Sequence, residues 1–237
     1  MIKQFEKFAE VYDELFSAVC DYKKEVGFYH KILMKHNVKK VLEVGCGCAH
    51  RGKYFIDKGY SYEGLDISKS MLKLADKKYP QLRLIEGDVR DIKIREKFDA
   101  ILFLGKGSVY LKNNDNMINA LKSMKKRIRR GIIIIDAFNA DFIIPNFKKN
   151  ISWKKEFKDK TITRKSKNTL DLKTGWTWKR EVTYIIKGKK SSSFHDEAIL
   201  RAFNKDEIKI FFLLVGIKPL RFIEKGDTLI SIGKVSE

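Results

Sequence analysis

The sequence predicts an α/β protein with a mostly parallel sheet and an antiparallel β insertion. Between residues 38 and 136, short apolar strands alternate with amphipathic helical segments, which is the pattern of βαβ units. From residue 151 to residue 203 the pattern is instead extended and alternating, as in antiparallel strands. The run of four isoleucines at 132–135 is apolar throughout, as a strand covered on both faces should be.

The first half is predicted to begin with two helices, over 3–19 and 21–36. Phe5 and Phe8 belong to the apolar stripe of the first helix. Ser68 is a suitable N-cap for a later helix. The following strands are predicted at 41–44, 62–66, 82–86, 100–104 and 132–135, and the helices between them at 51–58, 69–77 and 114–128.

The second half is predicted to carry about three antiparallel strands. Their extended segments lie at 161–163, 176–178, 181–186 and 198–203. Asn204 can cap a final helix over 205–214, and a last strand covers 229–235. We expect one domain, with a helical cap (1–37), a core (38–139), a basic β-rich insertion (140–203) and a closing helix and strands (204–237).

The composition excludes several classes of protein. With 43% hydrophobic residues in 237, the chain can bury one sizeable core, which excludes disorder as its main state. Three cysteines are too few for a secreted disulfide framework. Apolar runs such as Phe211–Val215 are far shorter than the roughly 20 residues that cross a bilayer. We therefore expect a cytoplasmic protein without a membrane partner.

The net charge of +20 is concentrated in two segments. Residues 146–190 carry fifteen Lys or Arg and four Asp or Glu, and residues 122–130 add six basic residues and no acid. Such segments can bind a polyanion through counterion release, or they can be solvated surface that keeps the protein soluble. The sequence leaves both interpretations open.

A glycine loop follows the first predicted strand. Glu43, Gly45, Gly47 and Ala49 give the pattern acid-x-Gly-x-Gly-x-small. His50 stands where a dinucleotide-binding fingerprint would need a third glycine, which argues against that fingerprint. The pattern resembles the first motif of the class I S-adenosylmethionine-dependent methyltransferases, which have a Rossmann-like fold.

The resemblance implies a set of cofactor contacts. Asp66 ends the second strand, where it would bind the ribose hydroxyls, and Asp88 with Val89 follows the third strand, where they would bind adenine. Tyr12 would lie at the methionine end of the cofactor. The cofactor-binding residues implied in this way are Tyr12, Glu43, Gly45, Cys46, Gly47, Asp66, Ile67, Met71, Asp88, Val89 and Leu104.

Other segments resemble glycine N-methyltransferase-like enzymes and amino-sugar N,N-dimethyltransferases. These are Tyr12-Asp13, 87–91, the loop 108–111, and the β-rich insertion before 200–204. The resemblance implies that the insertion covers the acceptor pocket. Candidate catalytic residues are Tyr110, Ser108 and His195, although several amino-sugar enzymes carry His where this chain has Tyr110.

The acceptor is left open by the sequence. A small polar molecule, most simply an amine, is favoured; RNA held on the basic segments is the alternative, and a cofactor-binding regulator without catalysis is a third reading. Cys46, Cys48 and His50 are spaced too closely for a four-ligand zinc site, so no metal is expected.

Overall fold

The computed structural model describes residues 9–188 and 191–236. The helices are α1 Ala9–Val19, α2 Tyr22–Met34, α3 His50–Asp57, α4 Lys69–Lys78, α5 Asn114–Lys125, α6 Ala140–Ile143 and α7 Lys205–Leu214. The strands are β1 Lys40–Val44, β2 Ser61–Asp66, β3 Arg83–Glu86, β4 Phe98–Phe103, β5 Ile128–Phe138, β6 Asn150–Glu156, β7 Thr161–Leu170, β8 Thr177–Lys187, β9 Ser192–Arg201, β10 Lys218–Lys225 and β11 Thr228–Val235. Phe5 and Phe8 of the predicted first helix lie outside the described residues.

The larger sheet, sheet I, has seven strands in the order β10-β11-β5-β4-β1-β2-β3. The pairs β1–β2, β1–β4, β2–β3 and β4–β5 are parallel. β11 is antiparallel to both of its neighbours, β5 and β10. The predicted fold class, a mostly parallel seven-stranded sheet with an antiparallel insertion, is confirmed.

Helices cover both faces of sheet I. Ile132 and Ile134 belong to the apolar cluster shared with α2, α3 and α4, whereas Ile133 and Ile135 belong to the cluster shared with α5 and α7. All four isoleucines are at most 1% exposed. Each face of a strand receives every second side chain, so the uninterrupted isoleucine run reflects burial on both sides.

The smaller sheet, sheet II, is the insertion, with antiparallel strands in the order β6-β7-β8-β9. Its inner face carries Ile162, Val182 and Phe194, and these pack against Leu15 of α1. Alternate side chains of the same strands form the outer face. α1 therefore lies between sheet II and sheet I, beside the carboxyl ends of the parallel strands.

Two details differ from the sequence prediction, and two predicted helix caps agree with it. Sheet II has four strands rather than about three. The predicted segments 176–178 and 181–186 overlap one strand, β8, and the sequence did not predict β6 as a strand of its own. β10 was not predicted: it is an edge strand, half-exposed and interrupted by Pro219, so it lacks a clear apolar alternation. The two predicted caps are confirmed, since Ser68 accepts from the Met71 amide and Asn204 forms a capping box with Glu207.

Within residues 9–188 and 191–236, no helix combines the length and apolar character required to span a membrane.

Candidate functional site

A cavity of about 980 Å³ lies at the carboxyl ends of the parallel strands. The loops after β1, β2, β3 and β4 form its floor, and α1, the first turns of α2 and part of β9 form its walls. Ligands of open α/β sheets bind at this edge because the connecting loops diverge there. The volume is at the upper end of the range for small-molecule pockets.

The loop after β1 has alternating left-handed residues. Gly45, Gly47 and Ala49 have φ of +67°, +55° and +52°. Glycine adopts this conformation without strain, whereas Ala49 adopts it at a cost in conformational energy because it carries a Cβ. A Cβ added at Gly47 would meet nothing within 4 Å, because this residue faces the cavity. The bare backbone thus leaves room for a ligand to approach closely.

The Asp66 carboxylate fixes this loop from the end of β2. It accepts hydrogen bonds from the Gly47 amide at 2.7 Å and the Ser68 amide at 2.8 Å, and the residue is 9% exposed. Asp88, after β3, is held by the Arg90 side chain, and this hydrogen bond lowers the pKa of Asp88. Both carboxylates lie on the cavity wall.

Eleven of the fourteen candidate residues line the cavity. They are Tyr12, Gly45, Cys46, Gly47, Asp66, Ile67, Met71, Asp88, Val89, Leu104 and Tyr110. The structure brings these residues together from α1 and from the ends of four strands; their individual roles stay predictions. Glu43, Ser108 and His195 do not line the cavity.

Glu43 lies beneath the glycine loop and does not face a ligand. It is 0% exposed, accepts a 2.7 Å hydrogen bond from the Tyr62 hydroxyl, and pairs with Arg51 at 3.1 Å. Burial raises the pKa of Glu43 to about 7, against the opposing effect of the Arg51 guanidinium. Its visible function is to anchor Arg51, whose Nε lies 3.0 Å from Glu25 of α2 and which lines the cavity.

Ser108 is also structural. Its side chain is fully buried and its hydroxyl donates to the backbone carbonyl of Asp136 at 2.7 Å. This hydrogen bond joins the turn after β4 to β5. The hydroxyl is therefore engaged with the backbone in this structure, and the catalytic role expected of Ser108 stays a prediction.

His195 projects from the outer face of sheet II. Its side chain is 52% exposed and its Nδ1 lies 3.2 Å from the Thr183 hydroxyl, whereas its neighbours Phe194 and Asp196 are buried on the inner face. Strand alternation causes this, since successive side chains point to opposite faces. His195 itself does not line the cavity, and its expected role as a base beside the acceptor stays a prediction.

The side chains considered for a metal do not converge. Cys48 Sγ lies 3.3 Å from Met71 Sδ, and the His50 nitrogens lie 2.7 Å from Asp13 and 2.9 Å from Tyr79. In the described part of the chain, one trio brings possible ligand atoms within 4.8 Å of one another: Glu181, His195 and Glu197. The Lys179 ammonium lies 3.5 Å from the Glu181 carboxylate and 2.9 Å from the Glu197 carboxylate, so its positive charge offsets their negative charge.

Tyr110 has a cationic neighbour that sequence reasoning missed. Arg180 of β8, on the inner face of sheet II, donates a hydrogen bond to Tyr110 and interacts electrostatically with Tyr12 and Tyr184. Burial acts to lower the pKa of Arg180, but the three tyrosines raise it overall. Burial raises the pKa of Tyr12 well above its usual value, with Tyr110 contributing. One basic residue within a lysine-rich strand gives no sequence signal, so only the tertiary structure reveals it.

Asp136 is a second residue that was missed. It accepts hydrogen bonds from the Gly105 and Lys106 amides at 3.1 and 2.7 Å, and it lines the cavity. Lys106 donates to the Ala137 carbonyl and Thr228, and burial lowers its pKa. The sequence did offer a signal for Asp136, because it is an acidic residue after an apolar strand, as Asp66 is.

Asp13 provides a pH-dependent contribution to stability. Burial acts to raise its pKa, but hydrogen bonds from His50 and Lys78 lower the pKa of Asp13 to about 2, from the ordinary 3.8. The folded state therefore favours the carboxylate, and this stabilisation is complete above about pH 4 and lost as the pH falls through 2. We expect Asp13→Asn to be less stable than the parent protein at neutral pH, with the difference shrinking between pH 4 and 2. Urea unfolding across this range measures it, and a constant difference would contradict it.

Residues 41–131 match the model of a methyltransferase domain. Among curated relatives, the glycine/sarcosine N-methyltransferase of Aphanothece halophytica is 30% identical over 59% of this chain and 55% of its own length. The dTDP-3-amino-3,4,6-trideoxy-α-D-glucopyranose N,N-dimethyltransferase of Streptomyces venezuelae is 22% identical, covering 79% of this chain and 78% of the relative. The chain thus spans about half of the first relative and over three quarters of the second.

The similarity of structure extends over nearly the whole chain. The crystal structure of Streptomyces venezuelae DesVI superimposes with a TM-score of 0.85, covering 95% of this chain and 97% of that chain at 22% identity. At this identity the superposition establishes the shared fold, including the insertion that forms sheet II.

Proposed function

Because the chain is a class I S-adenosylmethionine-dependent methyltransferase, we propose that its methyl acceptor is a small molecule carrying an amine. The relatives named above act, by their names, on glycine or sarcosine and on an amino sugar. The observation that carries the proposal is the hydrogen bond that Arg180 donates to Tyr110, which lines the cavity together with Tyr12.

The cavity residues fit the cofactor. The open space beside the bare Gly47 backbone suits close approach of an adenosyl group. Asp66, which already accepts from the amides of Gly47 and Ser68, would also accept hydrogen bonds from the ribose hydroxyls. Asp88 and Val89 would lie at the adenine, and Tyr12 at the methionine end. When bound, S-adenosylmethionine supplies an electrophilic methyl group on a sulfonium.

Arg180 favours the reactive form of an amine. A methyl group is accepted by a nitrogen lone pair, so an ammonium must first lose its proton. A positive charge near the acceptor lowers the amine pKa and so favours the neutral form. The Tyr110 oxygen, which accepts from Arg180, can also accept an N–H of the amine and orient the nitrogen lone pair towards the cofactor. The released proton passes to water.

The geometry gives less support to RNA as the acceptor. Residues 122–130 lie at the amino ends of the parallel strands, where Ile128 is in register with Phe98, whereas the cavity is at the carboxyl ends. The two basic segments therefore do not form one continuous surface around the cavity. A single RNA strand would have to pass around sheet I to contact both.

The proposal is tested by methyl transfer from radiolabelled S-adenosylmethionine to defined acceptors. Purified protein is incubated with amino acids, with nucleotide-linked amino sugars and with total RNA, and the label is followed by fraction. Label in an amine-containing small molecule supports the proposal, and label that ribonuclease releases would overturn it. Cofactor binding with no transfer to any amine would favour the regulator without catalysis.

We expect Tyr110→Phe to lower kcat about 10-fold or more, because the oxygen that orients the amine is lost. Arg180→Met should move the acidic limb of the kcat profile, measured at saturating acceptor, to higher pH by up to about one unit, because the bound amine then remains an ammonium to higher pH. His195→Ala is the matched control, and its profile should coincide with that of the parent protein. A loss of activity in the control equal to that of Tyr110→Phe would contradict this assignment.

A further inference from the structure

Helix α1 forms a wall of the cavity and is joined to the following helix by only two residues. Tyr12 and Phe16 line the cavity from α1, and Cys20 and Asp21 connect it to α2. α2 is fixed in the core through Val26, which is 0% exposed. A movement of α1 relative to the core would therefore take place about this short connection.

A buried polar cluster joins α1 to the start of α3. Asp13 Oδ1 lies 2.7 Å from His50 Nε2, and the other carboxylate oxygen accepts from Lys78 of α4. Ser17, one turn further along α1, lies 3.1 Å from the same His50 nitrogen. Asp13 is 6% exposed and the His50 side chain 11%, so the contact is almost completely withdrawn from water.

The imidazole of His50 is held in place from other directions as well. Its Nδ1 lies 2.9 Å from the Tyr79 hydroxyl, and the Tyr22 ring stacks on it with centroids 4.8 Å apart. His50 is also the first residue of α3, directly after the glycine loop. The Asp13 carboxylate thus docks α1 onto a fixed group at the edge of the cofactor loop.

We propose that Asp13 and His50 form a latch that holds α1 closed over the cofactor and sets the rate at which the cofactor enters and leaves. The proposal rests on the cofactor placement proposed above. Both are positioning residues: Asp13 holds Tyr12, its neighbour in α1, against the cavity, and neither takes part in methyl transfer. Opening of α1 separates the carboxylate from its two donors, and this cost retains the bound cofactor.

The latch is tested by a double-mutant cycle read out on cofactor release. Asp13→Asn, His50→Gln and the double variant are compared for dissociation of S-adenosylhomocysteine by stopped-flow displacement and for S-adenosylmethionine affinity by calorimetry. Each single variant should release the ligand about 10-fold faster, and the double variant much less than about 100-fold faster, because Asp13 and His50 share one interaction and their effects are not additive. kcat at saturating cofactor should not fall.

His30→Gln is the matched control. His30 makes a comparable 2.8 Å contact with the Tyr60 hydroxyl but does not line the cavity, so its substitution should leave ligand release unchanged. Equal effects of His50→Gln and His30→Gln, or additive effects within the cycle, would overturn the latch. If Asp13→Asn does not fold, the latch is tested by comparing the rates of ligand release of His50→Gln and His30→Gln. These measurements need no acceptor, so they are independent of whether an amine is methylated.

Discussion

Replacing Asp66 by alanine is expected to weaken S-adenosylmethionine binding about 100-fold. The proposed pair of hydrogen bonds from the ribose to this nearly buried carboxylate accounts for a loss of this size. Asp66 also orders the glycine loop through the Gly47 and Ser68 amides, so unfolding must be measured separately from binding. Calorimetric titration gives the affinity, and thermal unfolding without ligand gives the stability.

The chain offers a closely matched control for this substitution. Asp99 likewise accepts two backbone amides, from Lys39 at 2.9 Å and Lys40 at 2.8 Å, but at the opposite end of sheet I. Asp99→Ala should therefore destabilise the protein comparably and leave cofactor affinity unchanged in the folded fraction. If both variants lost affinity to the same extent, Asp66 would be a structural residue and its assignment to the ribose would be wrong.

Gly131→Ala is expected to cost about 3 kcal/mol or more of the free energy of unfolding. An added Cβ would lie 2.0 Å from the Asp99 carbonyl oxygen, which is backbone and cannot turn away. The close approach arises from the irregular pairing of β4 and β5, where the register shifts between Phe98 and Ala100. Overpacking of this kind destabilises strongly, and a loss of this size should lower Tm by about 6 °C or more.

Gly27→Ala is expected to act in the opposite direction. Gly27 lies within α2, and a Cβ there would meet no atom within 4 Å. Alanine is the better helix former by about 1 kcal/mol, so Tm should rise by a few degrees. Calorimetry of Gly131→Ala and Gly27→Ala side by side measures both changes in Tm. An equal decrease of Tm in the two variants would show that neither effect depends on the space around the added Cβ.

Part of the site could be predicted from the sequence because its residues follow strands at regular intervals. The glycine loop, Asp66 and Asp88 each come directly after a parallel strand, and parallel strands end at one edge of a sheet. These residues could therefore be assigned to one site without knowledge of the strand order. Glu43 could not be assigned in this way, since a strand-end position does not tell whether a side chain faces the ligand or the core.

The sequence by itself determined the fold class, the cofactor family and the edge of sheet I where the cavity lies, because periodicity and loop motifs are local properties of the chain. Only the tertiary structure decided which side chains face that cavity. Strand alternation and long-range packing leave His195 and Ser108 off the cavity wall and bring Arg180 to Tyr110 and Asp13 to His50. Such contacts join residues 37 to 70 positions apart, and no spacing within the sequence encodes them.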